Sequence, residues 1–405
     1  MKTSNFKFQI ALGFLLLLLS LRFYFFYSNQ PQLLDGQMLN FETAILSQPQ
    51  TFGSRQVFTA NLASNQRIRI ITSRFPELHY GDFMRISGKI SNKDDRLIIY
   101  FPKIEKLKDE SFLGKSLGVV NSLRQKLTSL FSKTLPSPSS SLLMGIIFGI
   151  KEQMPKGFAD NLKTTGVFHV IAASGMNVTL IGGFISTFFA FFLKRQIAIG
   201  LSIIGIIFYA VLAGLEASII RASIMGIIVF SAQIMGRQTL ALNGLFLAGF
   251  IMLFLDPSLI SDIGFQLSFT ATLGILYIKP LLQKKEGIGS NVLTTIAAQL
   301  ATLPILLANF GIYSLYSILV NGLVLWTVPI MMMVGGVGAL IGLIFIPLGQ
   351  LIIYLCYPLL IYFEKIVDFF GKMGGVITLQ NVPWQFITGY YCLLTAILLI
   401  SKRKT

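Results

Sequence analysis

Residues 197–215 read IAIGLSIIGIIFYAVLAGL, with no charged side chain in the run. The hydrocarbon core of a bilayer takes roughly 20 apolar residues of helix. Lipid offers no water to backbone N–H and C=O groups, so such a run has to be an α-helix. Outward from it the pattern repeats. Apolar spans lie near 166–193, 218–235, 240–255, 262–279, 290–308, 314–333, 336–355 and 384–400. A run at 140–150 is too short to cross alone and reads as re-entrant. The chain of 405 residues is 54% hydrophobic and 12% charged, against about 25% charged in an ordinary soluble domain. The fold class is a polytopic α-helical membrane protein.

The net charge of +16 comes from 33 Lys and Arg against 17 Asp and Glu. It has two readings: an anionic partner such as nucleic acid, or cytoplasmic loops rich in Lys and Arg. Lys194-Arg195, Arg237, Lys284-Lys285 and Lys402-Arg403-Lys404 fall on one side of the membrane by crossing parity. The loops holding Glu216 and Asp256 fall on the other. That parity predicts that both termini are cytoplasmic. Residues 358–372, with Glu364, Lys365, Asp368 and Lys372 at helical spacing, read as an outer interfacial helix.

The N-terminal run from Phe8 to about Tyr27 is longer than a signal-peptide core and lacks a small-residue cleavage site. It reads as a retained anchor, residues 1–30, with a cleaved signal as the alternative. Residues 31–110 change character. Alternation of period two marks strands at Gln37–Leu46, Gln56–Leu62, Arg67–Ile71, Asp82–Ile90 and Asp95–Phe101, separated by turn signals. Five short strands suit a small β-barrel of OB type, here extracytoplasmic. Such barrels often bind single strands through basic and aromatic residues. Arg67, Arg69, Arg85, Phe58 and Tyr80 are the candidates, although 11 basic against 9 acidic residues leave the domain nearly balanced. A spacer or lid is the alternative. Residues 111–138 form a basic amphipathic helix ended by Pro136 and Pro138, with Leu113, Leu117, Val120, Leu123, Leu127 and Leu130 on one face. Residues 139–405 are the membrane domain.

Polar residues inside spans are costly, so they carry information. The densest patch is TTGVFHVIAASGMNV, residues 164–178, holding His169, Ser174 and Asn177. On a regular helix Ser174 and Asn177 share a face and His169 sits to the side. Arg221 stands five residues after Glu216; it either pairs with that carboxylate, snorkels, or faces a passing anion. Asp256-Pro257 stops a helix, and Asp262 caps the next or lines a path. Gln266, Gln299 before Pro304, and Asn321-Gly322 complete the polar set. Helices broken at membrane depth line cavities or sit within protein.

In this order the motifs resemble the ComEC competence family. The chain has Thr165-Gly166, His169, Ala172, Ser174-Gly175 and Val178; then Arg221-Ala222 and Met225; then Asn243, Asp256-Pro257 and Asp262; then Gly264-Phe265-Gln266-Leu267-Ser268-Phe269, Ala271-Thr272 and Gly274; then Gln299, Pro304, Tyr313-Ser314 and Asn321. The likeness covers about 140–335, and the OB-like segment sits where that family carries one. A histidine of the family motif is Asn177 here. The metallo-β-lactamase-like domain carried by many members is not expected in this chain, nor is nuclease activity.

The resemblance implies import of single-stranded DNA across the membrane in natural transformation. It makes His169, Ser174, Asn177, Arg221, Asp262, Gln266, Gln299 and Asn321 the expected pore wall. Single-stranded DNA and the lipid bilayer are the expected partners, together with a DNA receptor, a cytoplasmic DNA-pulling ATPase and a separate nuclease. No cofactor or metal is expected: there is no Walker A sequence, only two histidines, and two cysteines in apolar stretches. A small-molecule or lipid transporter is the alternative. A Ser174–His169 hydrolase is disfavoured by the five-residue offset, so the chain reads as a non-enzyme.

Overall fold

The computed structural model describes residues 2–403 apart from 30, 32, 46–48, 63–65, 79–80, 94–95, 108–111, 151–153, 172–173, 238–239, 284–289 and 380–382. Tyr80, Ala172 and the Lys284-Lys285 loop therefore lie outside the described residues. The chain divides into two compact units, residues 1–124 with 246–262, and residues 125–245 with 263–405.

The first unit begins with helix α1 (Lys2–Ser28). Seven strands follow: β1 (Met38–Ala44), β2 (Gln50–Phe52), β3 (Arg55–Asn61), β4 (Arg67–Ser73), β5 (Phe83–Lys93), β6 (Arg96–Tyr100) and β7 (Lys103–Leu107). They form one curled sheet in the order β1-β5-β6-β4-β3-β2, with β7 also on β5. The long β5 makes the curl. Its first half pairs with β1 and β7, its second with β6. β4 and β6 run parallel; the other pairs are antiparallel. Thr43 Oγ1 donates to the Asn61 carbonyl at 3.3 Å, drawing β1 toward β3. Inward positions alternate along each strand, and Ile45, Phe58, Ile68, Ile70, Met84, Ile86, Ile90 and Ile99 fill the interior. Each such side chain contributes about 1.5–3 kcal/mol. This is the OB-like half-barrel. It has two strands more than the five-strand expectation, because β2 and β7 are too short or too charged to alternate visibly.

Helix α2 (Phe112–Thr134) is the basic amphipathic helix. The chain then continues through α3 (Ser139–Phe148), α4 (Lys156–Thr164), α5 (Gly175–Ala190), α6 (Arg195–Leu212), α7 (Ala217–Ile234), α8 (Ala241–Leu255), α9 (Ile263–Tyr277), α10 (Lys279–Leu282) and α11 (Ser290–Phe310). After β8 (Ile312–Ser314) come α12 (Ser317–Val324), α13 (Thr327–Ile344), α14 (Ile346–Tyr354) and α15 (Tyr357–Met373). Strand β9 (Val376–Thr378) pairs with β8, and α16 (Trp384–Arg403) ends the series. Among the described residues six helices are long and apolar enough to span a membrane, and a seventh span is available if the bent pair α14–α15 crosses as one. The chain is a polytopic helical membrane protein with an OB-like domain.

Two sequence expectations are corrected within the second unit. The 336–355 span is interrupted at Phe345, whose φ and ψ are extended, with Pro347 opening α14. The 314–333 span breaks between α12 and α13. α15 packs one face against protein. It buries Leu360, Phe363 and Val367, and its carboxylates face protein. Glu364 Oε1 accepts from Ser139 Oγ at 2.6 Å, and Asp368 Oδ1 accepts from Asn161 Nδ2 at 2.9 Å. The tight α13–α14 crossing depends on small residues. A Cβ on Gly349 would sit 2.2 Å from the Gly342 Cα.

Candidate functional site

The 164–178 patch is not one helix. Gly166 takes φ +73°, a 3-10 turn covers Phe168–Val170, Ser174 is extended, and α5 starts at Gly175. A side chain on Gly166 would strike Ser317 Cβ at 2.5 Å. The break has a neighbour with the same difficulty. α3 is a ten-residue helix, buried along its whole length, that ends within the unit. Its last carbonyls have no intrahelical donor. Asn177 Nδ2 donates to the Ile146 carbonyl at 2.7 Å, and the Tyr209 hydroxyl donates to that of Ile147 at 2.9 Å. Asn177 Nδ2 also lies 3.2 Å from the Tyr209 oxygen, and Ser174 Oγ donates to Asn177 Oδ1 at 3.2 Å. Ser174 and Asn177 thus close a broken backbone. Tyr209, whose sequence surroundings are uniformly apolar, was not legible as their partner. His169 is exposed, with Nδ1 3.2 Å from the Gly166 carbonyl.

Arg221 on α7 is 8% exposed. Its Nη1 bonds Thr272 Oγ1 on α9, and its Nη2 lies 3.2 Å from where a Cβ on Gly175 would be, at the start of α5. Its Nε has no hydrogen-bond partner in the protein. Among the described residues no carboxylate pairs with it. Gln266 lies in the first turn of the same α9, half-buried.

A second cluster lies between α11 and α12. Gln299 Nε2 donates to Ser317 Oγ at 2.9 Å. Buried close by in sequence and fold, Ser314 Oγ, Gln299 Oε1 and both polar atoms of Asn321 have no partner in the protein. Asn321 lies one helical turn after Ser317 on the buried side of α12. Ser317 was not singled out by sequence, because it lies inside the expected 314–333 span, where a serine can bond its own helix.

In the first unit, Arg67 is held by two carboxylates. Its Nη1 is 2.9 Å from Asp262 Oδ2 and its Nη2 is 3.2 Å from Asp256 Oδ2. A barrel candidate and a pore candidate are thereby one ion-pair cluster. Asp256 also accepts from Ser258 N at 3.0 Å, capping the 3-10 turn Pro257–Ser261. Arg85 is engaged by Glu42, with Nη2 at 2.6 Å. Phe58 is corrected: it is 3% exposed in the barrel core, so its ring offers no face to a base. Along β3 the buried positions are Gln56, Phe58 and Ala60, so the ring points into the core. Arg69 is exposed on the outer face of β4.

The competence protein family model matches residues 146–404. ComE operon protein 3 of Bacillus subtilis (strain 168) is 25% identical over 204 residues, which is 50% of this chain and 26% of that protein. An uncharacterized protein of Aquifex aeolicus (strain VF5) is 29% identical over 182 residues, 44% of this chain and 42% of that protein. The matches thus span less than half the length of either relative. No solved structure matches significantly. The family match covers well over half of the chain, so the chain belongs to the competence protein family, of the ComEC kind.

Proposed function

We propose that this chain takes part in DNA uptake, as a membrane channel that admits single-stranded DNA to the cytoplasm during natural transformation. The observation that carries the reading is Arg221. A guanidinium withdrawn from water without a counter-ion costs several kcal/mol. A passing phosphodiester supplies that counter-ion, and the N–H groups at the broken start of α5 add positive potential at the same point. Gln266, Gln299 and Asn321 offer neutral hydrogen-bonding wall, and His169 lies exposed near the α5 break.

On this reading the anchor (1–30), barrel (31–110), amphipathic helix (111–138) and membrane domain (139–405) act in series. The protein sits in the plasma membrane, with both termini cytoplasmic and the barrel outside, receiving the strand from a DNA receptor. A cytoplasmic ATPase pulls, and a separate nuclease removes the other strand. The test is uptake of labelled DNA in a transformable host that depends on this chain. Arg221→Gln should leave surface-bound DNA and abolish internalised DNA, while Arg221→Lys keeps part of it. Normal internalisation by a stably expressed Arg221→Gln protein refutes the proposal and favours small-molecule transport.

A further inference from the structure

One rim of the half-barrel gathers aromatic rings and arginines that none of the strand-face candidates include. Arg55 at the start of β3 pairs with Ser73 at the end of β4, and Ile71 of β4 lies beside Tyr100 at the end of β6. Arg74 and Phe75 follow Ser73, and Phe101 follows Tyr100, so these strand ends share an edge. Phe75, Phe101 and Tyr100 are 70%, 55% and 44% exposed. The Arg55 guanidinium lies 5.5 Å from the Phe101 ring centre, and that of Arg74 lies 5.6 Å from the ring of Phe75. Arg74 is also 3.8 Å from Glu77, an exposed and weak pair.

The rim is built rather than loose. Buried Gln56 donates its amide to the carbonyls of Ser73, Arg74 and Pro76, and its Oε1 accepts from Leu78 N at 3.1 Å. One side chain thus fixes the loop that presents Phe75. Phe101 is held at φ +47°, a conformation a bulky residue rarely adopts, by its N–H to the Ile71 carbonyl at 2.7 Å. Exposed aromatic rings fixed beside cations are what unstacked bases and their phosphates bind. From this rim the outer face of β4 leads past exposed Arg69 to Arg67, about 20 Å at the rise of a strand. That length suits the roughly four or more nucleotides that single-strand-binding barrels cover.

We propose that Arg55, Arg74, Phe75, Tyr100 and Phe101 form a base-stacking platform for single-stranded nucleic acid, with Arg69 continuing the track along β4. The proposal deepens the DNA-uptake reading and rests on it for the cargo, but its test is separate from internalisation. The full chain in lipid nanodiscs is titrated into a fluorescein-labelled oligo(dT) 20-mer and read by anisotropy. Phe75→Ala and Phe101→Ala should each weaken binding roughly tenfold. Arg55→Gln with Arg74→Gln should weaken it and flatten its salt dependence. Phe75→Trp should keep binding, whereas Phe75→Leu should lose it. Unchanged affinity in the alanine variants overturns the proposal. So does full binding by Phe75→Leu, which keeps apolar bulk without a ring. Quenching of indole fluorescence in Phe75→Trp or Phe101→Trp by brominated lipid, and not by oligo(dT), assigns the rim to the membrane surface and also overturns it.

Discussion

Asn177→Leu keeps the branched outline and heavy-atom count of the side chain and removes the amide that closes the end of α3. Three contacts go: to the Ile146 carbonyl at 2.7 Å, to the Tyr209 oxygen at 3.2 Å, and from Ser174 Oγ at 3.2 Å. The Ile146 carbonyl stays buried without that donor, at about 1–3 kcal/mol, and the lost bonds add about 1 kcal/mol each before any apolar gain from leucine. A net loss of about 2–4 kcal/mol follows. Asn177→His should lose less, since one imidazole N–H can still reach that carbonyl. Tyr209→Phe should cost about 1–2 kcal/mol through the Ile147 carbonyl. Because Asn177 and Tyr209 touch each other, the double variant should fall short of the sum by about 0.5 kcal/mol or more. Unfolding of the purified protein in detergent, followed by circular dichroism, ranks the variants. Asn177→Leu as stable as the parent, or strict additivity with Tyr209→Phe, refutes the capping role.

Arg67→Gln leaves Asp256 and Asp262 facing one another, so limited proteolysis should cut the first unit faster than in Asp256→Asn; adding Asp256→Asn to Arg67→Gln should restore protection. Gly166→Ala forces a Cβ into Ser317 at a positive φ and should abolish recovery of folded protein on size-exclusion chromatography, whereas Gly157→Ala, with nothing within 4 Å, should be neutral or slightly stabilising. Asn321→Leu removes two unpartnered buried atoms, so it should raise the melting temperature while DNA internalisation falls. A lower melting temperature would show that Asn321 is bonded in the resting protein.

The spans were legible because hydropathy over twenty residues reports the lipid environment directly, and the barrel because alternation reports a half-buried sheet. Breaks were less legible. Phe345 interrupts a run that is apolar on both sides, and only Pro347 hinted at it. The site was read one residue at a time, which explains its errors. Asn177 and Arg67 are polar in the right places, yet their partners lie 31 and 195 residues away. Periodicity carries no information about such pairings. Phe58 failed for a simpler reason: it was a candidate for its ring alone, and a strand alternates inner and outer faces residue by residue. The rim of Phe75 and Phe101 was invisible because it is assembled from three strand ends.

Two classes of polar group buried in the membrane unit have opposite consequences. Asn177, Tyr209 and Ser174 meet the hydrogen-bonding needs of backbone that ends inside the unit, and their contacts are complete without cargo. Arg221 Nε, Gln299 Oε1, Ser314 Oγ and the Asn321 amide have no such use. A sequence shaped only for a resting fold would replace them with apolar residues, since each unpaired group costs about 1–3 kcal/mol. Their retention is accounted for if another state of the protein wets them or pairs them with an anionic strand. Residues of the first class should then matter for folding in proportion to their bonds, and those of the second for transport, with stability unchanged or improved by their loss. The division cuts across the motif: Asn177 and Arg221, equal in rank as sequence signals, belong to different classes. On the proposed channel reading, the second class is the one with atoms left over for a phosphodiester.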